Sequence, residues 1–97
     1  MNFLKTAITV FLLFVLCVSI ATASDREAGY KNGYNDGSNE GKNRATIDNA
    51  AYGHTNVFSP APDVDPQSQS REYRRGYKTG YREGYYNGYR QCRYINV

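Results

Sequence analysis

Beyond residue 23 the chain has no leucine and no tryptophan, and its only other large aliphatic or phenylalanine side chains are Ile47, Val57, Phe58, Val64, Ile95 and Val97. That falls far below the roughly 20% of Leu, Ile, Val and Phe under which disorder becomes the default. An ordinary aliphatic core is therefore excluded. Histidine occurs once, as His54, and the two cysteines are Cys17 and Cys92. A metal site of standard ligand spacing cannot be built from these. There is no Ser/His/Asp or Cys/His grouping and no phosphate-binding loop. The spaced glycines lack the preceding strand that a dinucleotide fingerprint requires. These absences point away from an enzyme, and no cofactor, metal or small-molecule substrate is expected. Net charge is also low, +3 over the whole chain, so charge repulsion is not what would keep the chain unfolded.

What the chain has instead is glycine and tyrosine in strict register. Gly29, Gly33, Gly37 and Gly41 form one tract, and Gly76, Gly80, Gly84 and Gly88 the other. Tyr30 and Tyr34 follow two glycines of the first tract, and Tyr77, Tyr81, Tyr85 and Tyr89 follow all four of the second. All ten tyrosines lie beyond residue 23. If the chain folds, tyrosine rings packed on glycine backbone are its core.

The first 23 residues read differently. Met1 to Lys5 is short and basic, Thr6 to Ala21 is uncharged and mostly apolar, and Ala21-Thr22-Ala23 has the form of a peptidase site. This is the layout of a secretory signal peptide. The expectation is a secreted or periplasmic protein. The alternative is an uncleaved membrane anchor, because the uncharged run sits near the ~17-residue lower limit for a span.

Three segments follow: a first repeat helix over 24–52, a linker over 53–70 and a second repeat helix over 71–93, with a tail at 94–97. Ser24-Asp25-Arg26-Glu27 is a capping box, Gly53 stands where a helix C-terminal glycine belongs, and Ser70 with Glu72 can open the second helix. The linker holds Pro60, Pro62 and Pro66 and shows no helical or alternating pattern, so it reads as extended, disordered and mobile.

Four glycines cost each helix about 4 kcal/mol relative to alanine, at ~1 each. Close backbone approach along a stripe of small residues, as in Gly-x-x-x-Gly pairs, offsets such a cost. The fold expected is all-α: two glycine-striped helices packed as a helical hairpin or as an intermolecular pair. A four-residue period exceeds the 3.6-residue turn, which favours right-handed winding. Asp36 and Glu40 precede glycines of the first tract, and Arg74, Lys78, Arg82 and Arg90 form a row in the second. An antiparallel pairing sets these acidic and basic rows against each other.

Gly29-Tyr30-Lys31-Asn32-Gly33-Tyr34-Asn35-Asp36-Gly37, continuing to Gly41-Lys42, resembles the deca-glycine-repeat segment of the Yae-type essential proteins. Arg75-Gly76-Tyr77-Lys78-Thr79-Gly80-Tyr81-Arg82-Glu83-Gly84 resembles it too. Together they cover roughly forty residues. The resemblance implies helices that use the four-residue glycine repeat for a tight helix–helix complex. Eukaryotic members of that family act in the cytosol as adaptors in iron–sulfur protein assembly. This chain departs from the pattern in its export signal, its split tracts and its Tyr94-Ile95-Asn96-Val97 ending, so only the packing mode is carried over.

The remaining candidates are few. Cys92 continues the glycine phase of the second tract, and it is either a free thiol or half of an intermolecular disulfide. His54 reads as an exposed linker residue, and Asp63 and Asp65 as solvated linker charge. The expected function is a non-catalytic structural or protein-interaction module that self-associates or docks on another protein. The glycines Gly29, Gly33, Gly37, Gly41, Gly76, Gly80, Gly84 and Gly88 set the approach, and Tyr77, Tyr81, Tyr85 and Tyr89 fill the contact. The alternative is a cationic surface-active or toxin-like protein acting on membranes or anionic envelope polymers, since residues 71–93 carry seven basic and two acidic side chains. Nucleic acid is disfavoured as a partner, because the net charge is small and export removes most intracellular targets.

Overall fold

Among the described residues, two helices account for the regular structure. α1 runs over Asn2–Tyr52 and α2 over Arg71–Cys92. The computed structural model describes residues 24–94 in full and, for residues 2–23, only the helical course of the backbone. The signal-peptide and anchor readings, and tail residues 95–97, lie outside the described residues. Among the described residues, no helix is long and apolar enough to cross a membrane.

The ends of the helices follow local chemistry. The Ser70 side chain accepts from the Tyr73 backbone N–H at 3.2 Å, capping α2, and Glu72 lies in its first turn. The Arg93 N–H closes the other end on the Tyr89 carbonyl. α1 ends where Gly53 takes φ +61° and donates its N–H to the Asn49 carbonyl at 2.9 Å. That left-handed residue is the stop signal glycine supplies without a Cβ penalty. The capping box at Ser24 starts no helix, because α1 continues through it from the preceding residues. No free N-terminal amides are left there to cap.

α1 and α2 pack against each other along the repeat tracts of a single chain. They run parallel, not antiparallel. Gly29 faces Tyr73 and Tyr77, Gly37 faces Tyr81, and Gly41 faces Tyr85 and Tyr89, so residue numbers rise together on the two helices. The register is one repeat unit: the second glycine set is the first shifted by 47 (29 to 76, 33 to 80, 37 to 84, 41 to 88). The pair is therefore close to two-fold symmetric about an axis along its length.

Parallel packing obliges the linker to return the whole length of the pair. From residue 25 to residue 52, α1 rises about 40 Å at 1.5 Å per residue. The eighteen linker residues reach about 55 Å when extended at ~3.1 Å each, the conformation that prolines favour. The return is thus possible only for a nearly extended chain, with slack for turns at either end. The linker is not free: it lies along one groove of the pair, with Ala61 and Val64 packed on the tyrosine core. The expected disorder gives way because backbone groups of the linker find phenol partners on α2.

Candidate functional site

Each glycine of the two tracts is buried. A Cβ placed on any of them would stand 2.1–2.3 Å from a backbone carbonyl oxygen of the opposite helix. The acceptors are Tyr73, Tyr77, Tyr81 and Tyr85 for the first tract, and Arg26, Tyr30, Tyr34 and Ser38 for the second. The glycine Cα–H that occupies the Cβ direction therefore points at that oxygen. Such Cα–H···O contacts contribute about 0.5–1 kcal/mol each. Eight of them give about 4–8 kcal/mol, the same order as the glycine penalty of ~1 kcal/mol per residue in a helix. The seam is self-compensating only when the two helices touch.

Tyrosines flank the seam on both sides. Tyr81, Tyr85 and Tyr89 are buried at 7%, 1% and 1% exposure, and Tyr77 packs on them from a half-buried position. Tyr73, Tyr77 and Tyr81 stack at ring separations near 6 Å, as do Tyr85 and Tyr89. With Ala45 they form the core that leucines form elsewhere.

The phenols reach across the seam to the residue that precedes a glycine on the other helix. Tyr77 donates to Asp36 at 2.7 Å, Tyr73 accepts from Asn32 at 2.8 Å, Tyr30 donates to Glu83, and Tyr34 accepts from Asn87. The acidic row of α1 therefore does not pair with the basic row of α2. Arg74 instead grips Asp65 of the linker through two bonds of 2.8 and 2.7 Å, with the Lys78 ammonium 4.0 Å away. Asp65 is a tether, not merely solvated charge, and the Arg74 hydrogen bonds hold its carboxyl below the usual range. At the same end of the rod, Arg26 pairs with Glu72 across the helices.

A second polar cluster closes the C-terminal end. Asp48 is fully buried. One carboxylate oxygen accepts from the Ser59 hydroxyl and the Tyr89 phenol, each at 2.6 Å. The other has no hydrogen-bond donor among the described residues, although the Arg44 guanidinium lies 3.5 Å from it. Burial alone would push the Asp48 carboxyl up. The bonds from Ser59 and Tyr89, with the charges of Arg44 and Arg93, outweigh it and bring the pKa below the ordinary value. Tyr85 donates to the Ser59 carbonyl at 2.8 Å, and the Ser59 N–H reaches the Tyr89 oxygen at 3.2 Å. Ser59 is thus held by side chain and by backbone.

Arg93 is the other half of this latch. It is 4% exposed, and its guanidinium donates to Asn49 Oδ1 at 2.8 Å and to the carbonyls of Gly53, Thr55 and Val57 at 2.6, 3.0 and 3.2 Å. A planar fork of five donors suits this set of convergent acceptors. It places a cation at the C-terminal end of α1, where the helix dipole favours one. Neither Asp48 nor Arg93 is marked by spacing or motif. The one available signal is that they stand one phase from the seam, where each tract runs out of its repeat.

Cys92 continues the seam, half-buried and unbridged among the described residues, with its carbonyl accepting from Asn49 Nδ2 at 2.8 Å. Its stripe faces α1 of the same chain. His54 is exposed, as expected, with its ring 5.6 Å from that of Tyr94.

Comparison of the chain with protein-family models, with curated proteins and with solved structures gave no match.

Proposed function

We propose that this is an exported, non-catalytic interaction module in which the glycine seam builds a stiff two-helix rod and the outer surfaces do the docking. The observation that carries the reading is the seam itself. All eight tract glycines meet a carbonyl of the same chain within 2.3 Å of the Cβ position. The close-approach surface is consumed internally, so docking falls to what remains outside. The iron–sulfur adaptor role that the Yae-type resemblance implies is not carried over. The cationic surface of α2 supports a reading in which the docking partner is anionic.

The test is sedimentation and far-ultraviolet circular dichroism of the full chain and of Gly84→Leu. A helical species whose helicity is independent of concentration supports the module, with Gly84→Leu losing most of it. Helicity that vanishes on dilution, or a Gly84→Leu chain indistinguishable from the parent, overturns it.

A further inference from the structure

We infer that the outward row of α2 is the docking surface and that its partner is a linear acidic polysaccharide bearing carboxylates. The inference rests on the interaction-module reading and names the partner's chemistry. Arg74, Lys78, Arg82, Tyr86 and Arg90 recur every four residues, about 6 Å apart along the helix. Arg74 is occupied by Asp65. Lys78 has only the 4.0 Å contact to the same carboxylate. Arg82 and Arg90 make no ion pair among the described residues, and both are exposed. From Lys78 to Arg90, about 18 Å of rod thus presents cations with no acidic residue in the row.

Beside the row, between the linker and α2, lies a hollow of about 250 Å³. Pro62, Val64 and the rings of Tyr81 and Tyr86 line it, together with Lys78 and Arg82. Asp63 lies in the same lining and offers an acceptor to hydroxyl groups. Aromatic rings, a hydroxyl acceptor and two cations one turn apart are the groups that a sugar ring with a carboxylate would use. The guanidinium fork matches a carboxylate with two parallel bonds. The remaining row then follows a chain of such sugars as a linear polyanion.

Other anionic partners fit less well. A membrane surface calls for a helix with a strong apolar face beside its cations, and Tyr86 is the one apolar-bodied residue of this row. Single-stranded nucleic acid calls for successive exposed aromatics on which bases stack, and Tyr86 is alone in that respect also.

The experiment is calorimetric titration of the full chain with oligogalacturonate, with its methyl-esterified form, with single-stranded DNA and with phosphatidylserine vesicles as probes. Oligogalacturonate should bind, the esterified form should bind at least tenfold more weakly, and an Arg82→Gln/Arg90→Gln chain should lose at least tenfold in affinity with unchanged helicity. Three results would each overturn the inference: no oligogalacturonate binding by a helical chain, equal binding by the double variant, or DNA or vesicles binding as tightly through the same arginines. Helicity is recorded on every sample. A failure here with helicity intact leaves the rod standing, whereas loss of helicity in the parent chain defeats the module reading first.

Discussion

Replacing Gly37 with alanine sets two effects of opposite sign against each other. In an isolated helix the change is favourable by about 1 kcal/mol. In the folded chain the new Cβ would lie 2.1 Å from the Tyr81 carbonyl oxygen and 2.8 Å from its carbonyl carbon and Cα. Ordinary contact begins near 3.4 Å, so α2 must retreat by more than 1 Å, and every obstructing atom is backbone. Overpacking of this kind costs about 1–3 kcal/mol, and breaking each Cα–H···O interaction adds about 0.5–1 kcal/mol. After the propensity gain, the net loss is about 2 kcal/mol, which lowers the melting midpoint by roughly 8–16 °C for a domain of this size. Gly37→Ala with Gly84→Ala should cost less than the sum of the two, because one displacement relieves both sites. The assay is thermal circular dichroism of the full chain alongside peptides spanning residues 24–52 and 70–93. Gly37→Ala should raise the helicity of the first peptide and lower the midpoint of the chain. Gly53→Ala is the control: nothing lies within 4 Å of its Cβ position, and its cost comes from the left-handed backbone alone, about 1–2 kcal/mol. If Gly37→Ala leaves the midpoint unchanged or raises it, the close-approach argument fails.

Three further outcomes follow from the same geometry. Arg93→Gln should cost about 2–4 kcal/mol, from hydrogen bonds to a charged group worth ~1.5–3 each before rearrangement, and hydrogen exchange should rise first over residues 53–57. The Asp48 carboxyl has a folded pKa below its unfolded one, so its stabilisation is present above about pH 4 and is lost as pH falls further. Asp48→Asn should flatten that acid limb in denaturant titrations followed against pH. Tyr85, pushed up to about 12 chiefly by burial, works in the opposite direction: its contribution is full below about pH 10 and falls away between 10 and 12, by about 3 kcal/mol. Phenolate absorbance and urea midpoints should move together over that range, and Tyr85→Phe should reduce the alkaline loss.

Helix type, the C-terminal end of α1 and the span of α2 are legible in the sequence because the glycine phase, Ser70 and Gly53 each carry a local rule, whereas the capping box at Ser24 misplaces the start of α1. The core tyrosines Tyr81, Tyr85 and Tyr89 are legible for the same reason: nothing else is large enough to fill the seam. Direction is not. Glycines spaced by four superimpose equally well on a parallel or an antiparallel partner, and the charge rows favour the wrong one. The cross-seam phenol bonds fit the parallel arrangement, and groups at the two ends of the repeat fit it as well. Asp48 and Asn49 at the end of α1 meet Tyr89 and Arg93 at the end of α2, while Asp25 meets Ser70 at the start, 3.2 Å apart. The ordered course of the linker is hidden as well, because its prolines and polar residues suit a mobile segment and an extended docked one alike. Besides the Asp65 and Ser59 side chains, its anchors are backbone atoms of residues 53, 55, 57 and 59, which no side-chain pattern displays.

The direction of α2 is the claim on which the rest depends. Spin labels at residues 31 and 79, compared with labels at 31 and 91, test it by pulsed dipolar spectroscopy. Parallel helices in the observed register put residue 79 almost level with residue 31 and residue 91 about 18–20 Å further along the rod, at 1.5 Å per residue, so the second distance should be clearly longer. Nearly equal distances, as an antiparallel pair aligned on the same glycines would give, would contradict the account.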